Sequence, residues 1–335
     1  MLAALAAVLT GCATTAPQQE LPEFRHHAAP VPAESIDPLA LTPDMERFLD
    51  RFVRPYADPD TRVQLLARSL RDSAMLGFRY DDRLTLTAAE AYERRQGNCV
   101  AYANLVVAMA RASGLTARYQ EIQRVSVWDG TEDMVLIPKH INVIVETPRR
   151  AYLLDSSGLE ADPSDLRRRL SDAEVLSAYH NNLGAEALLD RDLALAYGEL
   201  ARAIEVAPWR ADPWVNLGVV LGRNAQYSEA EAAYLAALKR DDDAISARSN
   251  LYEIYRAAGD DARADEMARQ VERYRRRNPY HLLFLAEEAL EEGRTDQALT
   301  LLRRSIELKP EEARFHAALA RAQDQLGTGV EAVSR

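Results

Sequence analysis

The sequence predicts an α+β domain followed by an all-α helical solenoid, and three observations carry that expectation. Between Gly97 and Asp155 an apolar run at helical spacing gives way to alternating segments separated by turn residues, the pattern of a buried helix beside antiparallel strands. From about residue 177, leucines and small residues recur at a fixed interval of 34 positions, which marks a helical repeat array and not a second mixed domain. The 335 residues, 47% hydrophobic and 28% charged, have a globular composition and room for about two domains. The formal net charge of −11 argues against nucleic acid as a partner, because phosphates demand clustered Lys and Arg.

The N-terminus stands apart from both regions. Met1 to Val8 is apolar, and Leu9-Thr10-Gly11-Cys12 sets small residues directly before a cysteine; the segment resembles a bacterial lipobox. The resemblance implies a signal peptide over residues 1–12, removed on maturation, and a lipid on Cys12. Ala13 in place of an aspartate resembles the signal for sorting to the outer membrane. The expected location is the bacterial cell envelope, lipid-anchored and facing the periplasm. No apolar stretch reaches the roughly 20 residues of a spanning helix, so membrane contact is expected through the lipid alone. Residues 13–40, rich in Pro, Ala, Thr and Gln, cannot bury enough surface to order themselves and are expected to be a flexible tether. His26 and His27 fall in it as solvated side chains.

With Cys12 consumed by lipid, Cys99 is the one remaining thiol, with no partner for a disulfide in an oxidising compartment. Gly97-Asn98-Cys99 is followed by Val100, Ala103, Val106, Val107 and Ala110 at helical spacing, up to Gly114. Cys99 therefore falls in the first turn of a buried helix, where unsatisfied N–H groups and the helix dipole favour an anion and hence the thiolate form. Ala117 to Val125, His140 to Glu146 and Ala151 to Asp155 alternate as three strands, with a loop through Trp128-Asp129-Gly130 and a turn over Thr147 to Arg150. Pairing Glu146 with Ala151 across that turn puts His140 opposite Ser157 and makes Asp155 its diagonal neighbour on one sheet face. His140 is the only histidine between the tether and the repeats. A thiol nucleophile needs a base, and the base an orienting carboxylate; Cys99, His140 and Asp155 supply that set. No metal and no cofactor is expected.

Arg95-Gln96-Gly97-Asn98-Cys99-Val100-Ala101-Tyr102-Ala103-Asn104-Leu105, continued by Ala110-Arg111-Ala112-Ser113-Gly114-Leu115-Thr116-Ala117-Arg118, resembles the nucleophile helix of the transglutaminase-like superfamily. Lys139-His140-Ile141-Asn142-Val143 and Leu153-Leu154-Asp155 resemble its histidine and aspartate strands. The resemblance implies a papain-like α+β transglutaminase core over residues 41–172 and thiol acyl transfer. The animal enzymes have a tryptophan directly after the cysteine where this chain has Val100, so protein crosslinking is not carried over.

In the third region Leu183, Leu217, Leu251, Leu285 and Leu319 share the 34-residue interval, as do Ala196, Ala230, Ala264 and Ala298, and Gly259, Gly293 and Gly327. Trp214-Val215-Asn216-Leu217-Gly218, Tyr234 and Ala237, with Pro208 and Pro310 at the terminal proline position, resemble the tetratricopeptide (TPR) consensus. Residues 173–335 are thus expected to form TPR-like repeats: four helix pairs from about 177 to 312 and a capping helix, weakest in the third pair, where Tyr252 replaces the small residue. Such helix pairs bury their faces only against neighbours and leave a concave surface, suited to a peptide or protein partner. Asn182, Asn216 and Asn250 each precede the repeated leucine, at a position that resembles the groove-facing one. A ladder of amides can bond the backbone of an extended peptide, or the asparagines simply solvate their helices. Phe284 ends the ladder, and the groove is expected to turn apolar there.

Two classes of function follow. The first is an envelope cysteine peptidase, amidase or acyltransferase acting on amide bonds of a peptide or protein, with hydrolysis favoured over amine transfer because keeping water from an acyl-enzyme requires a dry tunnel. The alternative is a non-catalytic TPR adaptor or scaffold of an envelope complex. A complete triad favours the enzyme.

Overall fold

Capping side chains start the helices of the first domain. Thr42, Asp58 and Thr87 accept from the backbone N–H groups of Met45, Thr61 and Glu90, opening α1 (Pro43–Phe52), α2 (Pro59–Arg71) and α3 (Ala88–Arg94). Pro43 and Pro59 stand in the first turn, where an N–H is not needed. The computed structural model describes residues 20–25, 36–123, 139–156 and 166–333. Cys12, His26, His27, the Trp128-Asp129-Gly130 loop and Ser157 lie outside the described residues.

The next helix, α4 (Cys99–Ala112), is buried from Val100 through Ala110; a helix apolar all round belongs inside its domain. Arg79–Tyr80 (β1) pairs in parallel with Gln96–Gly97 (β2) just before it. The strands β3 (Thr116–Gln123), β4 (Lys139–Glu146), β5 (Ala151–Leu154) and β6 (Leu166–Leu170) form an antiparallel sheet in the order β5-β4-β3-β6, with β3 and β4 against α4. Glu146 pairs with Ala151, the register read from the sequence, and the Thr147 N–H donates to the Arg150 carbonyl at 2.9 Å. Strand β6 has no counterpart in the sequence reading. Arg167, Arg168 and Arg169 hide it, because at the sheet edge charged residues replace the alternation of an inner strand.

The rest is a run of paired helices: α5 (Asp172–Leu189) with α6 (Leu193–Val206), α7 (Asp212–Arg223) with α8 (Tyr227–Leu238), α9 (Ile245–Ala257) with α10 (Asp261–Arg277), α11 (Pro279–Glu291) with α12 (Thr295–Leu308), and a closing α13 (Ala313–Val333). The small residue of each pair is set by close approach. A Cβ on Gly184 would lie 2.7 Å from Leu200 Cγ, and one on Gly218 2.4 Å from Tyr234 Cε1. In the third pair the sizes are exchanged: Tyr252 takes the glycine position and Ala268 the position of Leu200 and Tyr234, and both border a cavity of about 300 Å³. The departure at Tyr252 is therefore a reciprocal swap within an intact repeat.

The two regions share α5. Val175 and Tyr179 belong to the core of the first domain, Ala187 and Leu188 to that of the repeats, so the solenoid grows directly out of the first domain. Residues 20–25, within the segment read as a tether, lie against the repeats. The Phe24 ring stacks on Tyr197 at 4.6 Å, the Tyr197 hydroxyl donates to the Pro22 carbonyl at 2.8 Å, and the side-chain amides of Gln226 and Asn224 donate to the carbonyls of Glu23 and Arg25, each at 2.8 Å. Alone the segment cannot bury enough to order; α6 and the α7–α8 turn supply the missing surface. Among the described residues no helix is long and apolar enough to cross a membrane.

Candidate active site

The cysteine is placed by the three residues around it. Gly97 has φ +152°, and a Cβ there would fall 2.5 Å from Ala101 Cβ, so only glycine brings the chain into α4 this way. Asn98 then caps the helix: its Oδ1 accepts from the N–H groups of Val100 and Ala101 at 3.0 and 3.1 Å. Its Nδ2 donates to Thr85 Oγ1 at 2.6 Å, and that hydroxyl donates to Glu186 Oε1 of α5 at 2.6 Å. Burial pushes the Glu186 pKa up, against the opposing Thr85 bonds. Cys99 stands at the first helical position and is partly exposed; its backbone N–H has no acceptor within the helix.

Across from it β4 presents His140, 9% exposed, with Nε2 2.8 Å from Asp155 Oδ1. That contact leaves Nδ1 for the side of Cys99, the other group whose interaction raises the imidazole pKa. Burial works to lower the His140 pKa, but the bonds to Asp155 and Cys99, and the charges of both, outweigh it and raise the value to about 9. The structure therefore brings together all three residues of the expected set, with Asp155 in the diagonal position given by the β4–β5 register. Tyr80 of β1 is close by: burial and then the Cys99 charge push its pKa up to about 12, so it stays a phenol.

Three residues that hold the set were not assigned roles from the sequence. Asn142 donates from Nδ2 to Asp155 Oδ2 at 3.1 Å, fixing the carboxylate oxygen that His140 does not use. Its signal was legible: it shares the face of His140 two positions on, and the β4–β5 register sets it directly opposite Asp155. Asn98 could have been read as a helix cap from its place before the apolar run. Thr85 had no local signal, since its role is to join Asn98 to a residue 101 positions later.

Cys99 and Val100 open into a cavity of about 690 Å³ whose other walls come from β3 and β4 of the first domain and from α5, α7, α9 and α10. An ion network runs along it: Lys139 to Asp212 at 2.6 Å, Asp212 to Arg210 at 2.7 Å, Arg210 to Glu121 at 2.9 Å and Glu121 to Arg168 at 3.0 Å. Burial would raise the Asp212 pKa, but Lys139 and Arg210 hold it below the ordinary carboxylate range. Asn182 and Asn216 line this cavity and Asn250 does not. The Asn216 amide is already engaged, donating to Asn181 Oδ1 at 2.9 Å. An adjoining cavity beyond α9 is lined by Arg273, Arg277 and Lys309 together with Asp242, Asp243, Tyr274 and Tyr280, and Phe284 borders neither cavity. Among the described residues no group of three or more His, Cys, Asp or Glu side chains could hold a metal ion.

Residues 46–132 match the family model described as the transglutaminase-like superfamily, and residues 211–243 match that of the tetratricopeptide repeat. The chain thus carries a transglutaminase-like core and a TPR; the first match includes Cys99 and stops short of His140 and Asp155, and the second spans α7 and α8. No curated protein matches the chain. Among solved structures it is similar to PilF of Pseudomonas aeruginosa, at 19% identity over 49% of this chain and 73% of that one, with a TM-score of 0.30. It is also similar to MamA from Desulfovibrio magneticus RS-1, at 15% identity over 49% and 93% of the two chains, with a TM-score of 0.29. A further MamA crystal structure is matched at 15% identity over 48% and 87%, with a TM-score of 0.28. At these scores the likenesses carry no weight for fold or function.

Proposed function

We propose that this chain is a lipid-anchored envelope thiol hydrolase that cleaves amide bonds in a peptide or protein substrate held between the transglutaminase-like core and the repeats. The observation that carries the reading is the His140–Asp155 contact at 2.8 Å beside a helix-start cysteine that opens into a shared cavity. The Cys99 thiolate attacks the carbonyl carbon, the C–S bond forms, and the carbonyl pair moves to oxygen, where the free N–H of Cys99 is placed to meet it. When the C–N bond breaks, the imidazolium of His140 gives its proton to the leaving amine. Water then attacks the thioester while His140 takes its proton, and the thiolate departs; an amine in place of water would give transfer. Asp155, held by Asn142, keeps the imidazole oriented throughout.

Placement in the envelope rests on the lipobox-like Leu9-Thr10-Gly11-Cys12 and on Ala13 after it. The deciding experiment is alkylation of the intact protein by iodoacetamide across pH, repeated on His140→Ala. Labelling of Cys99 that depends on His140 supports the nucleophile. Labelling like that of an ordinary thiol, unchanged in the variant, would leave the chain as a TPR adaptor.

A further inference from the structure

We propose that the groove leading away from Cys99 ends in a basic site that holds an acidic segment of the polypeptide substrate. The proposal deepens the reading of Cys99 as a nucleophile toward polypeptides and rests on it for what happens at the thiol. The site itself stands on the geometry of the repeats.

A second cavity, of about 730 Å³, lies between α9, α10 and α11. It shares Asp243, Ile245 and Tyr274 with the cavity of Cys99, so the two adjoin across these residues. Arg273 and Arg277 line its far part. They are spaced four residues apart on α10 and therefore share one helix face. Both are exposed, and among the described residues no ion pair takes up either charge.

The neighbouring charges are accounted for differently. Arg248 is buried, its guanidinium bonded to Asp242 at 2.8 Å and to Gln270 at 2.7 Å, so that pair cancels. Lys309 donates to the Tyr280 hydroxyl at 2.7 Å and lies 3.9 Å from Glu312. The cations of this stretch outside any ion pair are thus the two arginines, set against Asp241 and Asp243 at the end nearer the thiol, with Glu266 of the same helix feeling the Arg273 charge. In a chain of net charge −11 such a concave cationic stretch is a local exception, and its complement is a group of carboxylates. Arginine meets a carboxylate with two parallel N–H donors. A membrane surface cannot follow a concave groove, whereas an extended chain can.

The spacing fixes where the acidic residues fall. From α7, which borders the thiol cavity, to the start of α11, which borders the basic one, is two helix-pair steps at roughly 10 Å each. An extended strand covers that distance in about six residues. Asp243 lies between the two ends, so the residues crossing it are neutral and the acidic ones come after.

The test uses the full chain, since α5 is shared by both cores, in a Cys99→Ser background that reads binding without turnover. The probes are fluorescein-labelled extended peptides, identical except for a terminal block of glutamates or glutamines, measured by anisotropy. The glutamate peptide is expected to bind about tenfold tighter, the effect of one charge-assisted pair, and the preference to shrink with added salt. Arg273→Glu/Arg277→Glu should abolish the preference, and the milder Arg273→Gln/Arg277→Gln should do so with α10 intact by circular dichroism. Equal affinity for the two peptides, or a preference that survives in both variants, overturns the site. So does binding to anionic phosphatidylglycerol vesicles that depends on the same arginines. Alkylation of Cys99, measured in parallel with the cysteine restored, separates the two readings. If it depends on His140 and is untouched by the arginine changes while the peptides bind equally, this site alone fails. If it ignores His140 in the wild type, the thiol reading fails and the peptide comparison still decides the groove.

Discussion

Replacing Asp155 by asparagine should lower the His140 pKa and remove a pH-dependent part of the protein's stability. His140 sits at about 9, against an ordinary value of 6.5, because the bonds to Asp155 and Cys99 outweigh its burial. At about 1.4 kcal/mol per pH unit, the difference amounts to roughly 3 kcal/mol in favour of the folded, protonated state. The sign follows from linkage: a group whose folded pKa is raised contributes fully below its unfolded pKa and loses that contribution as pH rises through the folded one. The wild type should therefore lose stability from about pH 6.5 to about pH 9. Asp155→Asn removes the leading interaction that raises the value and leaves the burial, so the His140 pKa should fall by at least about one unit, or about 1.4 kcal/mol, and the alkaline slope should flatten. The assays are the NMR titration of the His140 ring proton and urea unfolding at a series of pH values. A His140 in the variant still titrating near 9, or an unchanged slope, would refute the account of how the imidazole is held.

Three further outcomes are expected. Gly218→Ala, whose Cβ would meet Tyr234 Cε1 at 2.4 Å, should destabilise the repeats by about 1–3 kcal/mol, the usual effect of overpacking, read as a lower urea midpoint; an unchanged midpoint would mean the α7–α8 contact is looser than described. Asn98→Ala removes the cap that holds two N–H groups at the start of α4 and should cost about 1 kcal/mol, with slower alkylation of Cys99 in the same sample. Cys12→Ser should move the protein from the membrane to the soluble envelope fraction, and a variant that stays with the membrane would end the lipoprotein reading.

The fold was legible where periodicity is local. The 34-residue leucines and the helix after Cys99 needed only spacing, and the β4–β5 turn fixed the register that joins Asp155 to His140. Strand β6 was not legible, because its three arginines follow an edge and carry no alternation. The wall of the Cys99 cavity was also hidden, since it depends on Lys139 meeting Asp212 and Glu121 meeting Arg210 across separate elements. The Asn182, Asn216 and Asn250 ladder was read from a linear repeat, but the cavity follows the junction with the first domain, so the two near residues border it and Asn250 does not.

The docked segment at residues 20–25 sets a height. If Cys12 carries the lipid, eight residue steps separate it from Glu20, and at no more than about 3.5 Å per step the chain spans at most about 28 Å. With Phe24 on Tyr197, such a lipid would hold the α6 side of the body close to the bilayer. Were the segment to lift off, the leash would run to Ile36, and the same arithmetic gives a reach of about 84 Å, three times as far. The stacking of Phe24 and the hydrogen bonds of Pro22, Glu23 and Arg25 to α6 and the α7–α8 turn would then separate the short reach from the long one.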